Sequence, residues 1–212
     1  MTTGSAALPM TGPATPGRWI SMGWGVVKED LGNFLLITLL IVVMSLVVSF
    51  TVVGHFLVVG PLITGMFAAT RRRMIEGRME VADLFGGFSL FLDSVVICLV
   101  STLFEFAAIV LCFFPFFIVA ALYLFPYLFL ADRGFSFWDA MEASRKIAAR
   151  DLLGYTMFVL LLVLLNLGGL IMAGIGILIT IPVSIAAISV AYREVVGFSQ
   201  QTAEPRKPII IP

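Results

Sequence analysis

The sequence predicts an all-α integral membrane fold: six transmembrane helices arranged as three hairpins, with amphipathic interfacial helices on the cytoplasmic side. Three observations predict it. The first is composition. Of 212 residues, 60% are hydrophobic and only 12% charged, where ordinary soluble domains carry about 25% charged residues. A soluble fold of this size has too much surface for its volume to hide so many apolar groups. Lipid as solvent removes that difficulty. The second is length. Three apolar blocks, Leu31–Thr70, Phe88–Ala131 and Leu152–Tyr192, each hold roughly 40 residues, or about 60 Å of helix. The hydrocarbon core of a bilayer is about 30 Å thick, so each block has length for two crossings. The third is charge. All thirteen Lys and Arg lie outside the blocks. If each block crosses twice, every cation falls on one face, which the positive-inside rule makes cytoplasmic.

Residues 1–17 are Thr, Gly, Ala and Pro with no basic n-region or apolar core, so they read as a disordered tail rather than a signal peptide. The membrane domain is expected over 18–196. It opens with an interfacial helix near 18–30, where Trp19 and Trp24 are expected as headgroup-level anchors. Block one should turn at Gly54-His55 or Gly60-Pro61. Its second crossing, Phe56–Thr70, is short enough to be re-entrant or tilted. Arg71, Arg72, Arg73 and Arg78 follow, read as topology anchors or as ligands for anionic lipid phosphates. Gly65 and Ala69 form a small-xxx-small pair for close helix packing.

Block two should break at Pro115. After it, residues 136–151 predict a second interfacial helix. Ser136 caps it with Asp139 as capping-box partner, and Phe137, Met141, Ser144 and Ala148 share one face. Asp139, Glu142, Lys146 and Arg150 share the other, with Glu142 and Lys146 in the favourable i,i+4 order. Trp138 is a third expected anchor, and Arg145, Lys146 and Arg150 further basic anchors. Block three should turn at Gly168-Gly169, and Gly169 with Ala173 makes another small-residue pair. Residues 197–212 read as a second tail. Asp30, Asp83 and Asp151 each precede a Gly and an aromatic at the entrance to a block, which suggests a threefold repeat with Asp serving a helix start.

The string "GPLITGMFAATRRRMIEGRMEVADLFGGF" resembles a pattern in uncharacterised bacterial six-helix integral membrane proteins, similar to the membrane domain attached to some glycerophosphodiester phosphodiesterases. The matching positions are Gly60, Pro61, Leu62, Gly65, Arg71 to Arg73, Asp83, Leu84, Phe85, Gly87 and Phe88. "LADRGFSFWDAMEASRK" looks like a second hallmark, through Asp132, Gly134, Ala140 and Ser144. The resemblance spans roughly residues 20 to 196. It implies a six-helix fold in a bacterial cytoplasmic (inner) membrane and carries over no catalytic residue; the cytoplasmic side expected for both termini comes from the basic residues.

Within block two, Glu105 has no basic residue within twenty positions on either side. On a wheel of about 100° per residue, Ser94, Cys98, Ser101, Glu105, Ala108 and Cys112 share a face on which all but the acid are small. Small faces are where membrane helices pack, so Glu105 is expected to point into the bundle. Asn166 is its expected partner by depth, about fourteen residues or 21 Å into its own crossing; Tyr123 is the second. Glu105 then serves as a proton or cation site, as a polar contact for a lipid headgroup or substrate, as a helix-locking hydrogen bond, or as an acid that snorkels to the outer interface. His55, the only histidine, offers no metal site by itself. Cys98 and Cys112 are too far apart along one helix for a disulfide. No nucleotide, zinc-protease or triad motif is present, and no cofactor is implied. A net charge of zero gives no reason to expect nucleic acid.

Three functions fit. One is a non-enzymatic membrane protein acting through packing with lipids, anionic ones on the cytoplasmic leaflet included, or with a protein partner or second copy. The second is a small transporter or channel using Glu105. The third is a lipid-processing enzyme, for which Asp93, Asp132 and Arg133 are the available acid–base material.

Overall fold

The structure is a computed structural model that describes residues 13–111, 113–172 and 176–199. Regular structure among them is entirely helical: α1 Pro16–Lys28, α2 Leu31–Val48, α3 Val52–Glu76, α4 Phe91–Leu111, α5 Phe113–Leu122, α6 Pro126–Arg133, α7 Phe137–Ala148, α8 Leu152–Ile171 and α9 Ile177–Val195. Two 3-10 segments, Val81–Leu90 and Ala149–Asp151, complete the order. Five stretches among the described residues are long and apolar enough to cross a bilayer: Leu31–Val48, Val81–Val110, Pro115–Arg133, Phe137–Ile171 and Ile177–Val195. Cys112 and Ala173, and with it the expected Gly169–Ala173 pair, lie outside the described residues, as do most of both expected tails.

Gly60-Pro61 does not break the chain. It sits inside α3, a single helix of 25 residues, and the turn falls at Ser49–Thr51 instead. The reason is contact. A β-carbon at Gly60 would lie 2.5 Å from the Ser94 carbonyl of α4, and one at Gly65 or Gly87 would collide with the Leu84 or Pro61 carbonyl. These glycines let α3 touch α4 and the 81–90 segment backbone to backbone. Gly168 and Gly169 likewise stay inside α8, and Gly169 packs on Gly176 and Thr180 as the chain enters α9.

One end of the bundle is tied by polar links. Asp151 accepts from the Ala14 and Gly154 amides at 2.7 and 3.0 Å, joining the starts of α1 and α8. Arg18 and the Trp19 indole reach Glu194 at 2.9 and 2.7 Å, bringing in the end of α9. Arg73 lies 3.8 Å from Asp30, joining the end of α3 to the start of α2. Asp93 accepts from the Phe137 amide at 3.0 Å, joining the starts of α4 and α7. Arg71 reaches Asp132 at 2.5 Å and Arg133 donates to the Val196 carbonyl at 3.3 Å, which adds the end of α6.

Two expectations about the surface change here. Trp19 is no headgroup anchor: it is buried, stacked on Tyr155 and edge-on to Phe158. Burying a large ring with its N–H satisfied by Glu194 yields more than leaving it half wet. Trp24 and Trp138 do stay exposed, at 43% and 65%. The apolar face of α7 is also taken by protein. Ala140, Met141, Ser144, Ile147 and Ala148 are buried and pack against α4, α5 and α6, so that face is closed to lipid.

The close approach of α3 to the 81–90 segment predicts a sharp contrast between neighbouring glycines. Gly65→Ala should destabilise by about 1–3 kcal/mol or more, because its new carbon meets the Leu84 carbonyl. Gly86→Ala, whose carbon meets nothing within 4 Å, should leave thermal unfolding in detergent unchanged.

Candidate functional site

The buried positions of α4 include Ser94, Ile97, Cys98, Ser101 and Ala108. Glu105 is half-buried among them, and no hydrogen bond or ion pair joins it to any described residue. It borders a cavity of about 600 Å³ between α3, α4, α5, α6, α8 and α9. That volume is within the usual range of small-molecule sites. Phe67, Val159, Leu162 and Ile188 supply apolar wall, and Glu105, Tyr123, Tyr127, Asn166 and Ser184 supply the polar groups. The mouth carries Val163, Leu167 and Leu170, which are exposed apolar side chains of α8.

Glu105 and Asn166 line this cavity together but do not bond each other. Asn166 donates its amide N–H groups to the Leu162 carbonyl at 2.8 Å and the Ser184 hydroxyl at 2.7 Å. The nearer partners win: one is a turn back on its own helix and the other faces it from α9. Ser184 passes its own proton to the Thr180 carbonyl at 2.8 Å. The Asn166 Oδ1 is buried without a partner. Tyr123 stacks on Phe104 at 5.5 Å between centroids, and Tyr127 on Phe67 at 6.3 Å.

Tyr123 owes its place to a break that the apolar block conceals. The chain leaves α5 at Leu122 and re-enters helix at Pro126. The backbone groups freed there are met by one side chain from α7: Ser144 donates to the Leu122 carbonyl at 2.8 Å and accepts from the Phe125 amide at 3.1 Å. Ser184, Tyr127 and Ser144 were not singled out as site residues. Pro126, with no N–H to give a continuing helix, is the sequence signal that could have marked the break.

The basic residues are mostly spent inside the protein. Arg71 pairs with Asp132 and lies 5.7 Å from the Phe198 ring centroid. Arg72 bonds Asp83 and Glu76, and Arg73 bonds the Gly77 carbonyl and approaches Glu29 and Asp30. Their side chains are only 16–28% exposed, which leaves little of them for lipid phosphates. Arg78 pairs with Glu76, and Arg145 and Lys146 with Glu142. The Arg145 hydrogen bond, then Lys146, lowers the Glu142 carboxyl to about 2. Arg150 is exposed at the end of α7.

The remaining acids near that end are engaged too. The Asp132 side chain is fully buried and accepts from Arg71, from the Tyr192 hydroxyl at 3.1 Å and from the Ser199 amide at 3.1 Å. Asp83 closes a capping box with Glu80, and Asp151 caps α8. Asp30 instead accepts from the Asn33 side chain at 3.0 Å, without capping α2. Among the described residues no three His, Cys, Asp or Glu side chains converge as a metal site.

Replacing Ser144 by Ala strands a buried amide and a carbonyl, each worth about 1–3 kcal/mol. S144A should lower the thermal midpoint by several degrees and increase hydrogen exchange at Tyr123–Phe125. An unchanged midpoint and exchange rate would show that the break is held by something else. Compared with family models, curated proteins and solved structures, the chain matches none.

Proposed function

We propose that this is a multi-pass membrane protein with a non-enzymatic role: it holds a lipid-like molecule in the cavity beside Glu105. The single observation that carries this reading is the cavity itself. Its walls and mouth are mostly apolar, its few polar groups come from α4, α8, α9 and the tyrosines beside the break between α5 and α6, and its open side faces where acyl chains would lie. An amphipathic molecule matches that division. The engagement of Asp93, Asp132 and Arg133 in structural contacts favours binding over acid–base catalysis.

The topology proposed is six crossings as three hairpins, in a bacterial cytoplasmic membrane, with both termini on the cytoplasmic side. Its support is the tied end of the bundle, where α2 begins and α3 ends, α4 begins and α6 ends, and α8 begins and α9 ends. The sixth crossing is α3, whose 25 residues reach about 37 Å. A second reading, a small transporter of the same molecule, is favoured by the break at Tyr123–Phe125. Interrupted helices beside a mid-membrane site are a feature of transporters.

Two measurements test this. Accessibility tags at the amino terminus, at Arg78 and at the carboxyl terminus should all report the same side of the membrane; opposite sides for any two would end the hairpin topology. For the site, Ala120→Trp fills the cavity from α5. Native mass spectrometry of the purified protein should show co-purified lipid on the parent chain and at least about tenfold less on this variant. Equal lipid on both would remove the cavity as the binding site.

A further inference from the structure

The unmatched groups at the cavity indicate what its occupant carries. Glu105 is a carboxyl with no cation: no Lys or Arg borders the cavity, and no ion pair reaches it among the described residues. Asn166 is the second unmatched group. Its orientation is fixed, because the Leu162 carbonyl can only accept and must therefore face the amide nitrogen. That leaves Oδ1, in the cavity wall, an acceptor without a donor. The Ser184 hydroxyl has already given its proton to Thr180 and taken one from Asn166. Apart from the Tyr123 and Tyr127 hydroxyls, the polar end of the cavity offers its occupant acceptors and no positive charge.

We infer that the head recognised here is a protonated primary amine on an apolar body, a long-chain or lipophilic amine. This rests on the reading of the cavity as a site for a lipid-like molecule. An ammonium brings three N–H donors and a compact charge, enough for the Glu105 carboxylate and for Oδ1 of Asn166. A hydroxyl brings a single donor and no charge. A phosphate or carboxylate head brings charge of the wrong sign into a site without a basic residue. The aromatic faces agree. Phe67, Tyr123 and Tyr127 border the same space, and ring faces attract cations, most strongly where water is excluded. The apolar remainder of the cavity then takes the chain, at roughly 0.8 kcal/mol per buried methylene.

The test uses the full-length protein in phosphatidylcholine nanodiscs and a long-chain primary amine bearing a diazirine on its chain. After irradiation, adducts should map to the α8 and α9 residues of the cavity. Dodecylamine should compete at a concentration at least about tenfold lower than dodecanol or dodecanoate does. Glu105→Gln, nearly isosteric and safe for folding, should abolish that preference, and Glu105→Asp should keep most of it. If dodecanol competes as well as dodecylamine, or the preference survives E105Q, the amine head is wrong. The cavity reading still stands in that case, provided the adducts stay on the cavity and Ala120→Trp prevents them. Adducts scattered over the lipid-facing surface and indifferent to Ala120→Trp would overturn both.

Discussion

A polar group removed from water must find its partner inside the protein, and that constraint arranges most of this molecule. The cost of failure is several kcal/mol for each backbone group left bare in hydrocarbon. Several hydroxyls of the apolar helices obey it locally. Thr38, Thr64, Thr70, Ser184 and Ser189 each return their proton to the carbonyl four residues back. Thr64 and Ser94 also bond each other at 2.8 Å, so a polar contact between α3 and α4 sits where Gly60 lets the backbones meet. Ser144 obeys it across the fold, supplying both a donor and an acceptor to the break between α5 and α6. A side chain of α7 thereby sets the shape of the break between α5 and α6 and the position of Tyr123 in the cavity.

Two glycine-bearing strings are also brought together in the fold. The Gly-Pro-Leu-Ile-Thr-Gly run and the Asp-Leu-Phe-Gly-Gly-Phe run are pressed together: Gly65 lies on the Leu84 backbone and Gly87 on Pro61. Between them Arg72 is bound to Asp83, and Asp83 in turn to the Glu80 amide. The intervening basic turn is therefore a clasp that closes α3 on the segment after it. Arg71 does the same at longer range, since Asp132 gathers α3, α6, Tyr192 and Ser199 around one buried carboxylate. Among the described residues, the Arg and Lys side chains that form ion pairs gather at one end of the bundle and are neutralised there by the protein's own acids.

The all-helical fold class was legible because it rests on sums over long stretches: apolar content, block length and the exclusion of charge. Single breakers were less legible. Gly60-Pro61 and Gly168-Gly169 look like turns in sequence but lie inside helices, where Gly60 and Gly169 serve close packing, because the meaning of a glycine depends on what stands opposite it. Pro126 was overlooked inside an apolar run, since the Ser144 that makes a break tolerable there comes from another helix. The helical wheel brought Glu105 onto the buried stripe of α4 with Ser94, Cys98, Ser101 and Ala108. It could not rank partners for Asn166, because depth along two helices says nothing about rotation, and rotation gave Asn166 to Ser184. Trp19 misled for a related reason: proximity to basic residues fits a headgroup anchor and a buried ring bonded to Glu194 equally well.

Glu105 departs from that constraint. Keeping an acid charged at mid-bilayer costs about 2.5–3.5 kcal/mol, and neutralising a glutamate at pH 7 costs about 3.7 kcal/mol at 1.36 per unit from its ordinary value. A helix-locking role would recover that cost through a partner, yet Asn166 and Ser184 bond each other and leave the acid alone. An apolar residue would serve the packing of α4 better at this position. On the proposal above, the cost is recovered when an amine enters the cavity and pairs with the acid. The arrangement of the walls follows from the same point. The amide of Asn166 is anchored on two sides so that its oxygen stays fixed, the ring of Tyr127 is fixed against Phe67, and Tyr123 is held by a break that Ser144 stabilises. The groups around the acid are positioned before any occupant arrives, which lowers the ordering cost of binding. On that proposal, the unpaired carboxyl in its apolar-mouthed cavity takes its complement from outside the chain.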